Sequence, residues 1–320
     1  MTKCLVLGVN GQDGSFLAEI LTARGCHVWG VGKQQRSRYL SEGAYFSYVH
    51  CDLKDQERLA AVLAATVPDE IYHLAAVHGA AGFSYEQVWG DALDVNVRTV
   101  HTILEYSRGQ NRDIRVFYAS SAKVFGTPLR GRISLQSQKR HDCLYSVTKL
   151  AAEYLLDYYR RVHGLHICIA YLFNHESVRR PPEYFLPRVM AVLTAALDDR
   201  DFQAEVHTLD FYCDWGCARE YMEMAADLIQ SPSPQDLIFA TGKTLYARDV
   251  VAQLFTAHGL DYSKHLVERH PESAASFFQV DIEQTIAHFG RAPRRNVLDV
   301  CHDFFTATGG MNVLSNCNVG

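Results

Sequence analysis

Lys3-Cys-Leu-Val-Leu-Gly8-Val-Asn-Gly11-Gln12-Asp13-Gly14-Ser15-Phe-Leu-Ala-Glu19 decides the fold of this chain. A short apolar run leads into three glycines spaced by three, and an amphipathic helical pattern follows. Gly8 permits a tight turn, Gly11 lets backbone approach a pyrophosphate, and Gly14 lets the helix pack closely on the strand. Phosphates then sit at a helix N-terminus, where amide N–H groups and the dipole favour anions. Glycine turns also arise for ordinary steric reasons. Here the trio follows a strand and opens a helix, which is the context of a dinucleotide cradle that also includes Gln12 and Asp13.

Working outward, strand-like runs at 4–7, 27–31, 47–50, 70–74, 115–119 and 167–172 alternate with helical patterns at 15–24, 56–65, 91–108 and 146–163. Such alternation predicts an α/β fold, a Rossmann-type doubly wound parallel sheet joined by right-handed crossovers. After about Arg179 the pattern changes. Pro181, Pro182 and Pro187 punctuate it, and helices predominate with short strands such as 237–240. The expected organisation is a dinucleotide-binding domain over 1–178, a smaller, mainly helical substrate lobe over 179–307 from which strands can cross back, and a flexible tail over 308–320.

Bulk composition narrows the function classes. The 320 residues are 48% hydrophobic and 21% charged with a net charge of −5, so nothing favours nucleic acid as a partner. No apolar run reaches membrane-spanning length, and the N-terminus lacks a signal pattern, so a cytoplasmic location is expected. The nine cysteines show no Cys-x-x-Cys pair and read as reduced thiols. Cys213 and Cys217 lack further ligands at zinc spacing, and no metal is expected.

The loop after the second strand selects the nicotinamide cofactor. A carboxylate there binds the adenosine ribose of NAD. This chain instead has Lys33-Gln-Gln-Arg36-Ser-Arg38, which suits a ribose 2′-phosphate and predicts NADP over NAD. Asp52, beside Leu53 after the third strand, either receives the adenine amino group or caps the helix beginning near Asp55.

Tyr145 and Lys149 share one helix face by their spacing of four. An ammonium near a phenol favours the phenolate, making Tyr145 a base for a sugar hydroxyl. Ser121 ends a central strand, where ligands of such sheets bind, and can polarise the reacting oxygen. Lys123 points the same way as Ser121 if the extended conformation continues.

These motifs resemble the extended short-chain dehydrogenase/reductase family, and within it the GDP-mannose 4,6-dehydratases. Four further stretches carry the resemblance: Gly11-Gln-Asp-Gly-Ser15; Pro68-Asp-Glu-Ile-Tyr-His-Leu74-Ala75-Ala76; Leu172-Phe-Asn174-His-Glu-Ser177 with Arg179-Arg180; and Asp214-Trp-Gly216 with Arg219-Glu-Tyr221. The resemblance implies oxidation at C4 of a nucleotide-linked hexose, elimination of water across C5 and C6, and return of the hydride to C6. Ser121, Tyr145 and Lys149 become the catalytic set, and Leu74, Ala75 and Ala76 join the cofactor site. Asn174 and Arg188 would contact the nucleotide diphosphate, with Ser84, Arg180, Arg219 and Arg269 as further substrate-binding candidates. Asn96 would brace the active-site helix. A homodimer or homotetramer follows from the same likeness.

Two departures from the family pattern bear on the chemistry. Lys123 stands where the family has the glutamate that serves as base at C5 and acid at C6, and Ala122 supplies no neighbouring carboxylate. Cys213 stands where the family has an arginine for the pyrophosphate, which leaves Arg219 or Arg269 to compensate. Three readings therefore stay open: a GDP-hexose 4,6-dehydratase with an altered base; a C4 epimerase, dehydrogenase or 4-ketoreductase without elimination; and a non-catalytic NADP-binding protein.

Overall fold

The computed structural model describes residues 1–80, 83–270 and 276–307 and divides into two compact units. The first holds a seven-stranded sheet, every neighbour parallel, of β1 (Lys3–Leu7), β2 (His27–Gly32), β3 (Phe46–His50), β4 (Glu70–His73), β5 (Arg115–Ser121), β6 (His166–Leu172) and β7 (Asp236–Phe239). Their order, β3-β2-β1-β4-β5-β6-β7, reverses direction beside β1, which is the doubly wound arrangement. The inner strands are near-continuous buried runs, as in Cys4–Leu7, Val116–Ala119 and Ile167–Leu172, because helices cover both faces, while the edge strand β3 buries only Phe46. One set is α1 (Gln12–Ala23) packed with the helix Ala218–Leu228. The other is α2 (Gln56–Thr66), α3 (Thr99–Arg108) and α4 (Leu144–His163).

Local chemistry accounts for the boundaries. Asp55 caps α2 by accepting from the Arg58 amide at 2.9 Å. Asp52 therefore does not cap that helix; its carboxylate accepts from the Lys54 amide at 3.0 Å. α4 ends at Gly164, whose φ of 68° is the left-handed conformation that glycine adopts without strain. The predicted single helix over 91–108 is three segments: Trp89–Leu93, a π-helical turn Asp94–Arg98, and α3.

The second unit comprises 128–134, 173–217 and the described residues from 240 onward. Its three-stranded sheet places Tyr212–Cys217 between Asn174–Glu176, parallel, and Thr244–Tyr246, antiparallel. Its core gathers Leu186, Val189, Leu193, Trp215, Phe255 and Val300 from that sheet and the helices Phe185–Asp198, Ala247–Ala257 and Val297–Ala307.

The units thus differ from a single break at 178/179. Ala218–Phe239, read from sequence as part of the second lobe, belongs to the first unit, because β7 pairs with β6 and its preceding helix packs on α1. Residues 128–134 and 173–178 go the other way. The tail 308–320 lies outside the described residues.

Candidate active site

The glycine turn is held by sterics that admit no side chain. Gly8 has φ +90°, and a Cβ there would lie 2.9 Å from the Ala75 amide nitrogen, where the ends of β1 and β4 meet. A Cβ on Gly14 would lie 2.2 Å from the Gly8 carbonyl oxygen. Gly11 is the N-cap of α1 without a side-chain cap, so the first turn presents backbone to this hollow. A turn packed too tightly for any Cβ, followed by a helix start with no side-chain cap, leaves bare backbone amides for an anion and fits a dinucleotide pyrophosphate.

The basic loop after β2 is shaped by Asn10, which sequence reasoning passed over. Its Nδ2 donates to Gln34 Oε1 at 3.0 Å and to the Arg36 carbonyl at 3.1 Å, and its Oδ1 accepts from the Arg38 amide at 2.8 Å. Tyr48 adds a bond to the Gln34 carbonyl at 2.7 Å. Lys33, Arg36 and Arg38 are left exposed on this pinned loop.

At the end of β5 the catalytic candidates come together. The strand stops at Ser121, and Ala122–Phe125 forms a 3₁₀ turn whose Lys123 amide donates to Ser121 Oγ at 3.3 Å. The extended continuation that would align Lys123 with Ser121 is therefore not present. The turn nonetheless brings Lys123 Nζ to 5.7 Å from the Tyr145 ring centroid, the same distance as Lys149 Nζ. Two lysine side chains thus stand equally far from one phenol ring.

Lys149 is 3% exposed and donates to the Ala119 carbonyl at 2.7 Å. Burial pulls its ammonium down to about 8, opposed by the negative field of Glu153. His73, buried on β4, is pushed down to about 3 by burial and by the Lys149 charge. It therefore stays neutral beneath the site. Tyr145 is buried between His78, whose ring meets it edge-on at 4.6 Å, and Tyr85, stacked at 5.7 Å. Neither was singled out from sequence; both come from the segment after β4, which carries no periodic signal.

Asn96 lies in the π-helical turn and is wholly buried. Its Oδ1 accepts from the Val77 amide at 2.9 Å and its Nδ2 donates to Thr148 Oγ1 at 3.0 Å. It braces the segment after β4 against α4 between Tyr145 and Lys149. The extra residue of a π turn is what places that amide inward, a device common at functional sites.

The remaining candidates have separate addresses. Ser84 Oγ donates to Glu86 at 3.1 Å in the first unit. Arg219, also in the first unit, pairs with Glu19 at 3.0 Å. In the second unit Asn174 and Arg188 are exposed, and Arg269 pairs with Glu205. Arg180 stacks on Tyr184 at 3.8 Å and approaches Glu176 at 3.5 Å, in the same neighbourhood as buried Cys213. Among the described residues no group of His, Cys, Asp or Glu is arranged to hold a metal ion.

The family described as GDP-mannose 4,6 dehydratase matches residues 5–289. GDP-mannose 4,6-dehydratase of Yersinia enterocolitica is 29% identical over 282 residues, covering 82% of this chain and 73% of that protein. GDP-mannose 4,6-dehydratase of Vibrio cholerae is 30% identical over 264 residues, covering 77% and 69%. Among solved structures, UDP-glucose 4-epimerase of Thermotoga maritima with UDP-glucose superposes with a TM-score of 0.80 at 17% identity, covering 95% and 99%. dTDP-glucose 4,6-dehydratase of Bacillus anthracis with NAD gives 0.79 at 16%, covering 97% of each chain. At such identities the structural likeness shows the fold.

Proposed function

The chain belongs to the GDP-mannose 4,6-dehydratase family, and on that premise we propose that it oxidises C4 of a GDP-linked hexose with NADP. The observation that carries this reading is that the Lys149 and Lys123 Nζ atoms each lie 5.7 Å from the ring of buried Tyr145, in a unit whose first strand ends in the glycine turn. Gly8, Gly11, Gln12, Asp13, Gly14 and the Leu74–Ala76 segment would hold the dinucleotide, with Lys33 and Arg36 on its 2′-phosphate. When bound, the cofactor supplies the hydride acceptor for C4. Tyr145 takes the proton of the C4 hydroxyl, Ser121 hydrogen-bonds the same oxygen, and Lys149 stabilises the phenolate. The 4-keto group then acidifies the C5 proton, the C6 hydroxyl leaves as water, and return of the hydride to C6 with a proton to C5 completes a 4,6-dehydration with net loss of one water. Asn174, Arg180 and Arg188 are proposed to bind the nucleotide diphosphate.

One observation favours a second reading. The 3₁₀ turn after Ser121 offers an ammonium, Lys123, and no carboxylate to accept the C5 proton or protonate the C6 hydroxyl. A C4 epimerase, dehydrogenase or 4-ketoreductase needs neither, because Ser121, Tyr145 and Lys149 suffice. Mass spectrometry of the sugar nucleotide after incubation with NADP and GDP-mannose separates the two. Loss of one water supports dehydration; an unchanged mass with altered configuration, or a shift of two hydrogens, supports the second reading. No turnover with cofactor binding retained would overturn both.

Assembly and location complete the proposal. Tyr154, Tyr158 and Val162 lie four residues apart on α4 and are 73%, 48% and 49% exposed. Such an apolar stripe supports pairing with a second copy of the chain, as a homodimer or homotetramer. The eight cysteines among the described residues are free, which supports a reducing, cytoplasmic setting. No described helix is long and apolar enough to cross a membrane.

A further inference from the structure

Beneath the site, α4 carries a carboxylate that the chemistry above does not use. Glu153 stands one turn after Lys149 and is 8% exposed. Ser120 Oγ on β5 and Tyr171 Oη on β6, the latter at 3.2 Å, donate to it. Lys139 Nζ lies 3.6 Å from it, set over the rings of Tyr171 at 3.3 Å and Phe125 at 4.2 Å. A buried carboxylate would be strongly unfavourable alone, but here two hydroxyls and an ammonium satisfy it.

We infer that Glu153 is a positioning residue of this site, tying the Ser120–Ser121 end of β5 to α4 and keeping the ammonium of Lys149 charged for the Tyr145 phenol. The assignment rests on the role proposed above for Tyr145 and Lys149. Ser120 is the chain neighbour of Ser121, so the bond to Glu153 fixes Ser121 against the helix that bears Tyr145.

The charges around Lys149 make the electrostatic half of the argument. From β5 it meets the Ala119 carbonyl and the Tyr118 ring, at 4.7 Å from the centroid. From β4 it faces neutral His73. Lys123, on the 3₁₀ turn, is a second cation beside the same phenol, whose other neighbours are the rings of His78 and Tyr85. Thr148 and Asn96, in contact with the same turn of α4, carry no charge. Lys139 is a further cation, pulled down to about 8 by burial against the field of Glu153. Two buried ammonium groups thus share one carboxylate, whose negative field supports both protons. Without it, burial alone would drive Lys149 toward its neutral form, which stabilises no phenolate.

The test is a titration of the lysine Nζ resonances by NMR in protein carrying ¹⁵N-lysine, with Lys149 identified by the signal lost in Lys149→Arg. Glu153→Gln keeps the shape and an acceptor for Ser120 but removes the charge. The midpoint of Lys149 is expected to fall by about one unit or more. An unmoved midpoint in folded Glu153→Gln would overturn the assignment, since a purely structural role leaves the titration alone. Should that variant fail to fold, Glu153→Met, which removes the charge without leaving a buried amide to satisfy, is read in the same way: the Lys149 midpoint falls, and an unmoved midpoint overturns the assignment. The readout needs no sugar nucleotide, so failure to turn over GDP-mannose would count against the proposed function and leave this inference standing.

Discussion

Substituting Gly14 by alanine puts the dinucleotide cradle to a quantitative test. The added Cβ would meet the Gly8 carbonyl oxygen at 2.2 Å, the Gly8 carbonyl carbon at 2.7 Å and the Val9 Cα at 2.8 Å. All three are backbone atoms of the turn after β1, so no side chain can rotate away. Relief requires α1 to withdraw from β1 by about an ångström, against a helix packed through buried Phe16, Leu17 and Leu21. Overpacking of that kind costs about 1–3 kcal/mol. The same withdrawal displaces the first turn of α1, on which the pyrophosphate would rest. Thermal unfolding should show Tm lowered by about 2–5 °C, and calorimetric titration should show NADP affinity reduced at least tenfold. Gly90→Ala is the control: its Cβ meets nothing within 4 Å, and alanine is the better helix former. Gly14→Ala with unchanged Tm and NADP affinity would refute the reasoning.

Three more predictions come from single contacts. Asn96→Ala strips partners from the buried Val77 amide and Thr148, which should cost about 2–4 kcal/mol in denaturant unfolding and slow turnover by loosening α4. Asp214 is pushed up to about 6 by burial, although Thr241 donates to it from its amide and its hydroxyl. Its folded value lies above its unfolded one, so its contribution to stability is fully present below about pH 4 and is lost as pH rises through 6. Asp214→Asn should abolish that loss, worth about 3 kcal/mol at most, in unfolding compared at pH 4 and pH 8; parallel pH dependence in both proteins would be the contrary result. Lys123→Glu should raise the yield of dehydrated product from GDP-mannose, read by mass spectrometry, while no gain in a variant that still binds the sugar nucleotide would show that more than one group departs from the family pattern.

Strand and helix identity in the first unit was legible because buried parallel strands and amphipathic crossovers imprint their periods on sequence. The boundaries of β1, β2 and β6 fall within a residue of the expected ones. What lay hidden depended on long-range partners. β7 joins the sheet through β6, some seventy positions earlier by register, and no local pattern reveals which sheet a four-residue apolar strand will enter. The π turn at Asp94–Arg98 reads as plain helix because one inserted residue barely alters the apolar rhythm. Of the candidate site, the Tyr145–Lys149 pair is read from its spacing of four, Ser121 from its place at a strand end and Lys123 as a departure from the family pattern; their catalytic roles are the proposal made above. Glu153 was not legible, since a glutamate in a helix is read as surface; its burial follows from hydroxyls on two strands and a lysine from a loop. Asn10 was missed for a similar reason: its role lies in the loop after β2, not in its own turn.

The central claim is that Tyr145 is the base for C4 oxidation, and Tyr145→Phe tests it most directly. Formation of reduced nicotinamide should be followed by stopped-flow absorbance in a single turnover with NADP and GDP-mannose, beside a calorimetric measurement of NADP binding. The account predicts hydride transfer slowed by about 10²–10⁴-fold with cofactor affinity unchanged; cofactor reduction at the wild-type rate in Tyr145→Phe would contradict it.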